Sequence, residues 1–142
     1  MTNDEMTLLI RKHIPPALKL LDADIIEIDQ KAGEVRMSFT IGEEFCHSKV
    51  IVQGGYVSAM LDACMAHAAS THSGLTKSAS TLELKVSFLA VSNPGKFRGV
   101  GRVIRMGRSI AYTEASLFNE AEVEVARSSS TVKLISSQPR EA

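Results

Sequence analysis

The chain carries no excess charge of either sign: sixteen Lys and Arg stand against sixteen Asp and Glu over 142 residues, with a pI near 6.9. No global field is present to draw in a polyanion, so nucleic acid is not an expected partner. Long hydrophobic runs are also missing. Stretches such as Leu8 to Ile10 and Val50 to Val52 fall far short of the roughly 18 apolar residues that span a bilayer, so no membrane association is expected. The first residues, Met-Thr-Asn-Asp-Glu, are acidic where a secretory signal is basic and then apolar, which points to a cytoplasmic protein. Cysteine is scarce: Cys46 and Cys64 are spaced as neither a redox pair nor a zinc site and read as reduced, small core hydrophobes. No G-x-S-x-G elbow occurs, and the Gly99-Val100-Gly101 triplet sits inside a strand pattern instead of before a helix, so nucleotide-binding fingerprints fail. Without repeats, low-complexity segments or linker composition, residues 1–142 read as one domain, and 44% hydrophobic residues suffice for one core.

What is present is a change of period along the chain. From Asp4 to Ile14, Met6, Leu9, Ile10 and Ile14 recur at helical spacing until Pro15-Pro16, predicting a short N-terminal helix within residues 1–16. Alternation follows at Asp22 to Asp29 and Glu34 to Ile41, with Gln30 to Gly33 as the hairpin turn. Glu43 to Val52 shows no stable period and reads as a loop. After Gly54-Gly55 the spacing is helical again, through Val57, Met60, Leu61, Cys64, Ala68 and Thr71. The remaining positions are mostly alanine, which predicts a buried helix. Four more strands are expected. The first alternates through Leu82, Leu84, Val86 and Phe88, and the others lie near Lys96 to Ile104, Ile110 to Asn119 and Glu122 to Ile135. A polar, frayed tail is expected from Ser136 to Ala142. The sum is an α+β fold, an antiparallel sheet of about six strands covering one long central helix.

Between Lys49 and Lys77 the only formally charged residue is Asp62, in the middle of that apolar helix. A buried carboxylate needs a specific partner, a raised pKa or a function; the alternative is an Asp at a helix edge that faces solvent or bonds nearby backbone. Gln53-Gly54-Gly55 directly precedes the helix, where bare N–H groups meet the positive end of the helix dipole. Such donors suit an oxyanion formed on a carbonyl, although Gly-Gly also serves a tight turn. His47 and Gln53 bracket Val50-Ile51-Val52 and can hydrogen-bond a water or carbonyl. His67 and His72 do not share a helix face, so no metal site is expected. Cys46 and His47 with Asp62 would make a thiol triad only if neighbouring side chains, which usually point apart, converged.

The order Gln53-Gly54-Gly55, Leu61-Asp62, Ser80 through Leu89, and Gly107-Arg108-Ser109 resembles the hotdog-fold acyl-CoA thioesterases of the phenylacetate-degradation (PaaI-like) type. That family carries His-Gly-Gly, a small-residue helix with Asp eight residues after the first Gly, a strand ending Phe-Leu-x-Pro, and a later Gly-Arg turn. The resemblance covers His47 to Leu134 and implies a sheet wrapped around a helix, a homodimer often assembled into a homotetramer, and active sites between subunits. It puts Asp62 at the catalytic carboxylate, Gly54 at the amide that polarises the thioester carbonyl, and Thr81 where a hydroxyl assists Asp62 or the attacking water. Gln53 stands where the family commonly has His, and His47 where it has Asn or Gln. Ala90-Val91 replaces the commoner residues after Phe88-Leu89.

The resulting expectation is hydrolysis of an acyl-CoA thioester, with Asp62 activating water or attacking directly to form an anhydride, and with the Gly54 and Gly55 amides stabilising the oxyanion. No separate cofactor is required, since coenzyme A is part of the substrate. The acyl group is expected against Tyr56, Met60 and Phe88, and Arg108 is the cation singled out for the coenzyme A phosphates. A non-catalytic acyl-CoA-binding module of the same fold is the alternative, and it would not need Asp62.

Overall fold

A computed structural model describes residues 1–137. Helix α1 (Asn3–Lys12) opens with a reciprocal capping box, in which the Glu5 amide donates to Thr2 Oγ1 and the Thr2 amide to Glu5. It buries Met6 and Ile10. The expected helix stops before Ile14, and Pro16, whose missing N–H costs nothing at a helix start, opens a second short helix, α2 (Pro16–Leu20).

Strands β1 (Asp24–Asp29) and β2 (Glu34–Ile41) form the expected hairpin, with Gly33 at φ 69° in its turn. In β2 the pattern is realised residue by residue: Val35, Met37, Phe39 and Ile41 are buried. The segment expected to be a loop is more ordered than its period suggested. A 3-10 turn (Glu43–Phe45) leads into a small hairpin of β3 (Cys46–Ser48) and β4 (Ile51–Val52). Strands this short are too brief to display alternation. The long helix α3 (Gly54–His72) is followed by β5 (Lys77–Phe88), β6 (Gly95–Met106), β7 (Ile110–Phe118) and β8 (Glu124–Ser136). The large sheet has six antiparallel strands in the order β1-β2-β6-β7-β8-β5, the α+β hotdog arrangement that the resemblance implies. Ser136 is not frayed: it ends β8 opposite Lys77, and Ser137 bonds the Thr76 and Leu75 carbonyls. The rest of the expected tail, residues 138–142, lies outside the described residues.

Strand registry explains how the sheet holds α3. One inward-facing row runs Val35, Gly101, Ala115, Ser128, Val86, and the next runs Met37, Gly99, Leu117, Ala126, Phe88. The middle of the first row is small throughout, and Gly99 and Ala126 flank Leu117 in the second, so the sheet has a trough, and α3 lies in it with Leu61, Cys64, Met65 and Ala68 completely buried. Contact is closest at β6. A Cβ on Gly101 would land on the Cys64 backbone carbonyl, and one on Gly99 would strike the Cys64 sulfur. Both glycines have ordinary strand dihedrals, so they are needed for the space they leave.

Gly101→Ala is therefore expected to destabilise by about 1–3 kcal/mol or more, because backbone must move. Gly99→Ala meets only a side chain, so Cys64→Ala in the same chain should recover most of its loss while recovering little for Gly101→Ala. Chemical-denaturation midpoints of the two double-mutant cycles test this, and equal rescue would refute it.

Candidate active site

The amino end of α3 forms one half of the site. Gln53 is the N-cap, but its side chain makes no capping bond; its carbonyl accepts from the Tyr56 and Val57 amides, and its own amide donates to the Phe45 carbonyl. The Gly54 and Gly55 amides have no hydrogen-bond partner among the described residues. Two oriented donors thus stand open at the positive end of a 19-residue helix.

Asp62 lies two turns further along, half-buried. Thr81 Oγ1 donates to Asp62 Oδ1 at 2.7 Å, because β5 crosses α3 and a β-bulge between Thr81 and Glu83 interrupts the register there. The helix is not enclosed on all sides as its composition suggested: Ser58, Ala59, Asp62, Ala66 and Ser70 are only half-buried. Eight residues of helix separate Gly54 from Asp62, about 12 Å at 1.5 Å per residue. One carbonyl cannot touch both within a single chain.

An open cleft of about 430 Å³ lies over Gly54. Ile51 and Val52 of β4 and Val57 of α3 line it on one side, and residues 88–92 on the other, with exposed His47 at its rim. His47 Nδ1 is 2.9 Å from Ser48 Oγ, so its ring is engaged away from Cys46. The segment after β5 is fastened over the cleft: the Leu89 and Ala90 amides donate to the Val125 carbonyl, and the Val52 amide donates to the Ser92 carbonyl. Of the other residues expected at the site, Phe88 lines this cleft. Tyr56 packs edge-on against Phe45 with ring centroids 4.8 Å apart. Met60 is wholly buried in the core, and Arg108 is exposed in the β6–β7 turn. Sequence reasoning did not single out Ile51, Val52, Val57 or residues 89–92 as lining; their signal was apolar Leu89-Ala90-Val91 beyond a strand that had already ended.

The remaining candidates have structural duties. His67 Nδ1 lies 2.8 Å from the Ala63 carbonyl, and His72 Nδ1 lies 2.6 Å from the Gln30 carbonyl, tying the end of α3 to the β1–β2 turn. Cys64 is fully buried, as expected, and burial pushes its thiol far up. Cys46 is only half-buried, in contrast to the expectation; desolvation first, then the Glu43 and Glu44 carboxylates, hold its thiol above the usual range. Neither is a poised nucleophile. Arg102, facing Glu114 at 3.8 Å, and Arg127, bonded to Glu124 at 2.7 Å, are engaged across the outer sheet face. Among the described residues no helix is long and apolar enough to cross a membrane.

Residues 51–126 match the family model of the Thioesterase superfamily. No curated protein matches the sequence. Among solved structures, a phenylacetic acid degradation-related protein of Ralstonia eutropha JMP134 is 29% identical, with a TM-score of 0.82 over 90% of this chain and 97% of that one. The PaaI protein of the Escherichia coli phenylacetic acid degradation operon is 17% identical, with a TM-score of 0.83 over 94% of each chain. A thioesterase of Haemophilus influenzae is also 17% identical, with a TM-score of 0.80 over 96% of this chain and 92% of that one.

A raised Cys46 thiol has little thiolate at neutral pH, so a disulfide reagent should modify it more slowly than a model thiol at pH 7, with the gap closing as pH rises. Glu43→Gln with Glu44→Gln should speed the reaction, and Cys64 should react only on unfolding. A fast, pH-independent reaction at Cys46 would contradict this account.

Proposed function

We propose that this chain, which belongs to the thioesterase superfamily, hydrolyses an acyl-CoA thioester at a site shared by two copies, Gly54 coming from one and Asp62 from the other. The observation that carries the reading is the pairing of an oriented carboxylate, held by Thr81 at 2.7 Å, with open amides at Gly54 and Gly55. These are the two elements that thioester hydrolysis needs. Donors already fixed in place stabilise the oxyanion as it forms. The carboxylate activates a water, or attacks the carbonyl itself to give an anhydride that water then opens. The departing coenzyme A thiolate is stable enough to leave with little protonation, so one carboxylate and a few donors suffice. Thr81 keeps one Asp62 oxygen occupied and so aims the other. Gln53, which does not titrate near neutrality, contributes hydrogen bonds only, and His47 stands at the cleft rim as a further hydrogen-bonding group. No cofactor is assigned, coenzyme A being part of the substrate, and exposed Arg108 is available to its phosphates.

The separation of about 12 Å along α3 supports a second copy. So does β5, a 12-residue edge strand that exposes Leu82, Leu84 and Phe88. An unpaired edge of that length is a template for another strand. Two β5 strands paired about a two-fold axis lay the two α3 helices antiparallel, bringing Gly54 of one towards Asp62 of the other. The resemblance extends this dimer to a tetramer.

Asp62→Asn, with its fold verified, should lower kcat by about a thousandfold on whichever acyl-CoA the wild type turns over. Thr81→Val should cost about tenfold or more, and Thr81→Ser should restore most of it. If wild type and Asp62→Asn bind acyl-CoA equally and neither releases thiol, the protein is an acyl-CoA-binding module instead. Light scattering should give more than the 15.4 kDa of one chain, and Leu84→Asp, which puts a charge on the exposed face of the edge strand, should weaken assembly and activity together. A fully active monomer would overturn the shared site.

A further inference from the structure

The ring of Phe88 lies directly on the amino end of α3. A Cβ built on Gly54 would sit 3.0 Å from Phe88 Cζ and 3.2 Å from Cε1, inside the 3.5–4.0 Å at which carbon atoms rest against each other. The tip of the ring therefore fills the space that a side chain at position 54 would need, beside the backbone whose N–H stands open. The backbone of Phe88 is not at liberty to withdraw: Phe88 pairs with Ala126 in β8, the next two amides share the Val125 carbonyl, and the segment beyond is bonded to β4 through Val52 and Ser92. The other walls near Gly54 are Ile51, Val52 and Val57, none charged, and among the described residues His47 is the only titratable side chain lining the cleft.

Resting on the reading of Gly54 as the carbonyl-binding amide, we propose that Phe88 determines acyl selectivity: the site takes a neutral, apolar acyl group whose carbon next to the carbonyl is unbranched, and Phe88 excludes acyl groups branched there. A thioester oxygen on the Gly54 amide places that adjacent carbon beside the ring tip. A straight chain runs along the ring face, whereas a methyl branch must enter the space beside Gly54 that the ring tip already occupies. An anionic acyl tail is disfavoured separately, because apart from His47 and Ser92 the cleft walls are apolar and a carboxylate against them loses water.

The test compares butyryl-CoA with isobutyryl-CoA, of equal size and charge, on the full-length wild type, Phe88→Ala and Phe88→Leu. The wild-type ratio of kcat/KM should favour the straight chain by about tenfold or more, and both variants should narrow that ratio by at least about fivefold, whatever their absolute rates. A wild type that treats the pair alike, or a ratio unchanged in both variants, overturns the role of Phe88. The same two acyl groups on non-hydrolysable thioether analogues of acyl-CoA, measured by calorimetry, separate this proposal from the catalytic one. If the wild type turns over neither ester, hydrolysis of these short acyl groups fails, yet a binding preference that Phe88→Ala removes still supports the selectivity role, and one that it leaves intact refutes it.

Discussion

The contact between the Cys64 turn of α3 and the glycines of β6 is the constraint from which the rest of the molecule follows. With Gly101 against the Cys64 carbonyl and Gly99 against its sulfur, helix and sheet meet backbone to backbone, closer than any side chain would allow. Dispersion and apolar burial both grow with such contact. The neighbouring strands respect the same limit by placing Ala115 and Ser128 in the row of Gly101. Larger residues stand towards the β2 side, where Val35, Met37 and Phe39 close over the flank of the helix. A helix seated so deeply in a trough is fixed in rotation as well as position, because the trough accepts only the face that carries Leu61, Cys64, Met65 and Ala68.

That fixed rotation decides where the candidate site lies. With its apolar face in the sheet, α3 turns Ser58, Asp62 and Ala66 to the side not fully covered, where β5 passes. The hydroxyl of Thr81 then finds the Asp62 carboxylate, and the helix start is left open over a cleft walled by β4 and the segment after β5. The strand that supplies Thr81 is also the edge of the sheet, and the helix that carries Asp62 holds it about two turns from the Gly54 amide.

Much of this was legible in the residues. Clean alternation at Glu34 to Ile41 located β2 to the residue, since one face of that strand is buried and the other is not. Helical spacing after Gly54-Gly55 located α3, and the solitary charge within it drew attention to Asp62. The β3–β4 hairpin was not legible, because strands of three and two residues are too short to show a period and are held by tertiary hydrogen bonds. The alternation of Leu82, Leu84, Val86 and Phe88 suggested a face buried by the chain itself, whereas Leu82 and Phe88 are more than half exposed; alternation marks a strand without saying what covers its face.

Period, turn chemistry and the isolation of one carboxylate are local properties, and from them the sequence by itself determined the order of elements, the antiparallel sheet and the central helix that bears Asp62. The tertiary structure decided that Thr81 bonds Asp62, that the Phe88 ring stands beside Gly54, and that Met60, although at helical spacing with the candidate site, points into the core instead. These outcomes depend on how far the helix sinks into the sheet and on which way it is turned. Both are set by contacts among residues far apart in the chain, such as Gly101 with Cys64, whose distances no local pattern encodes.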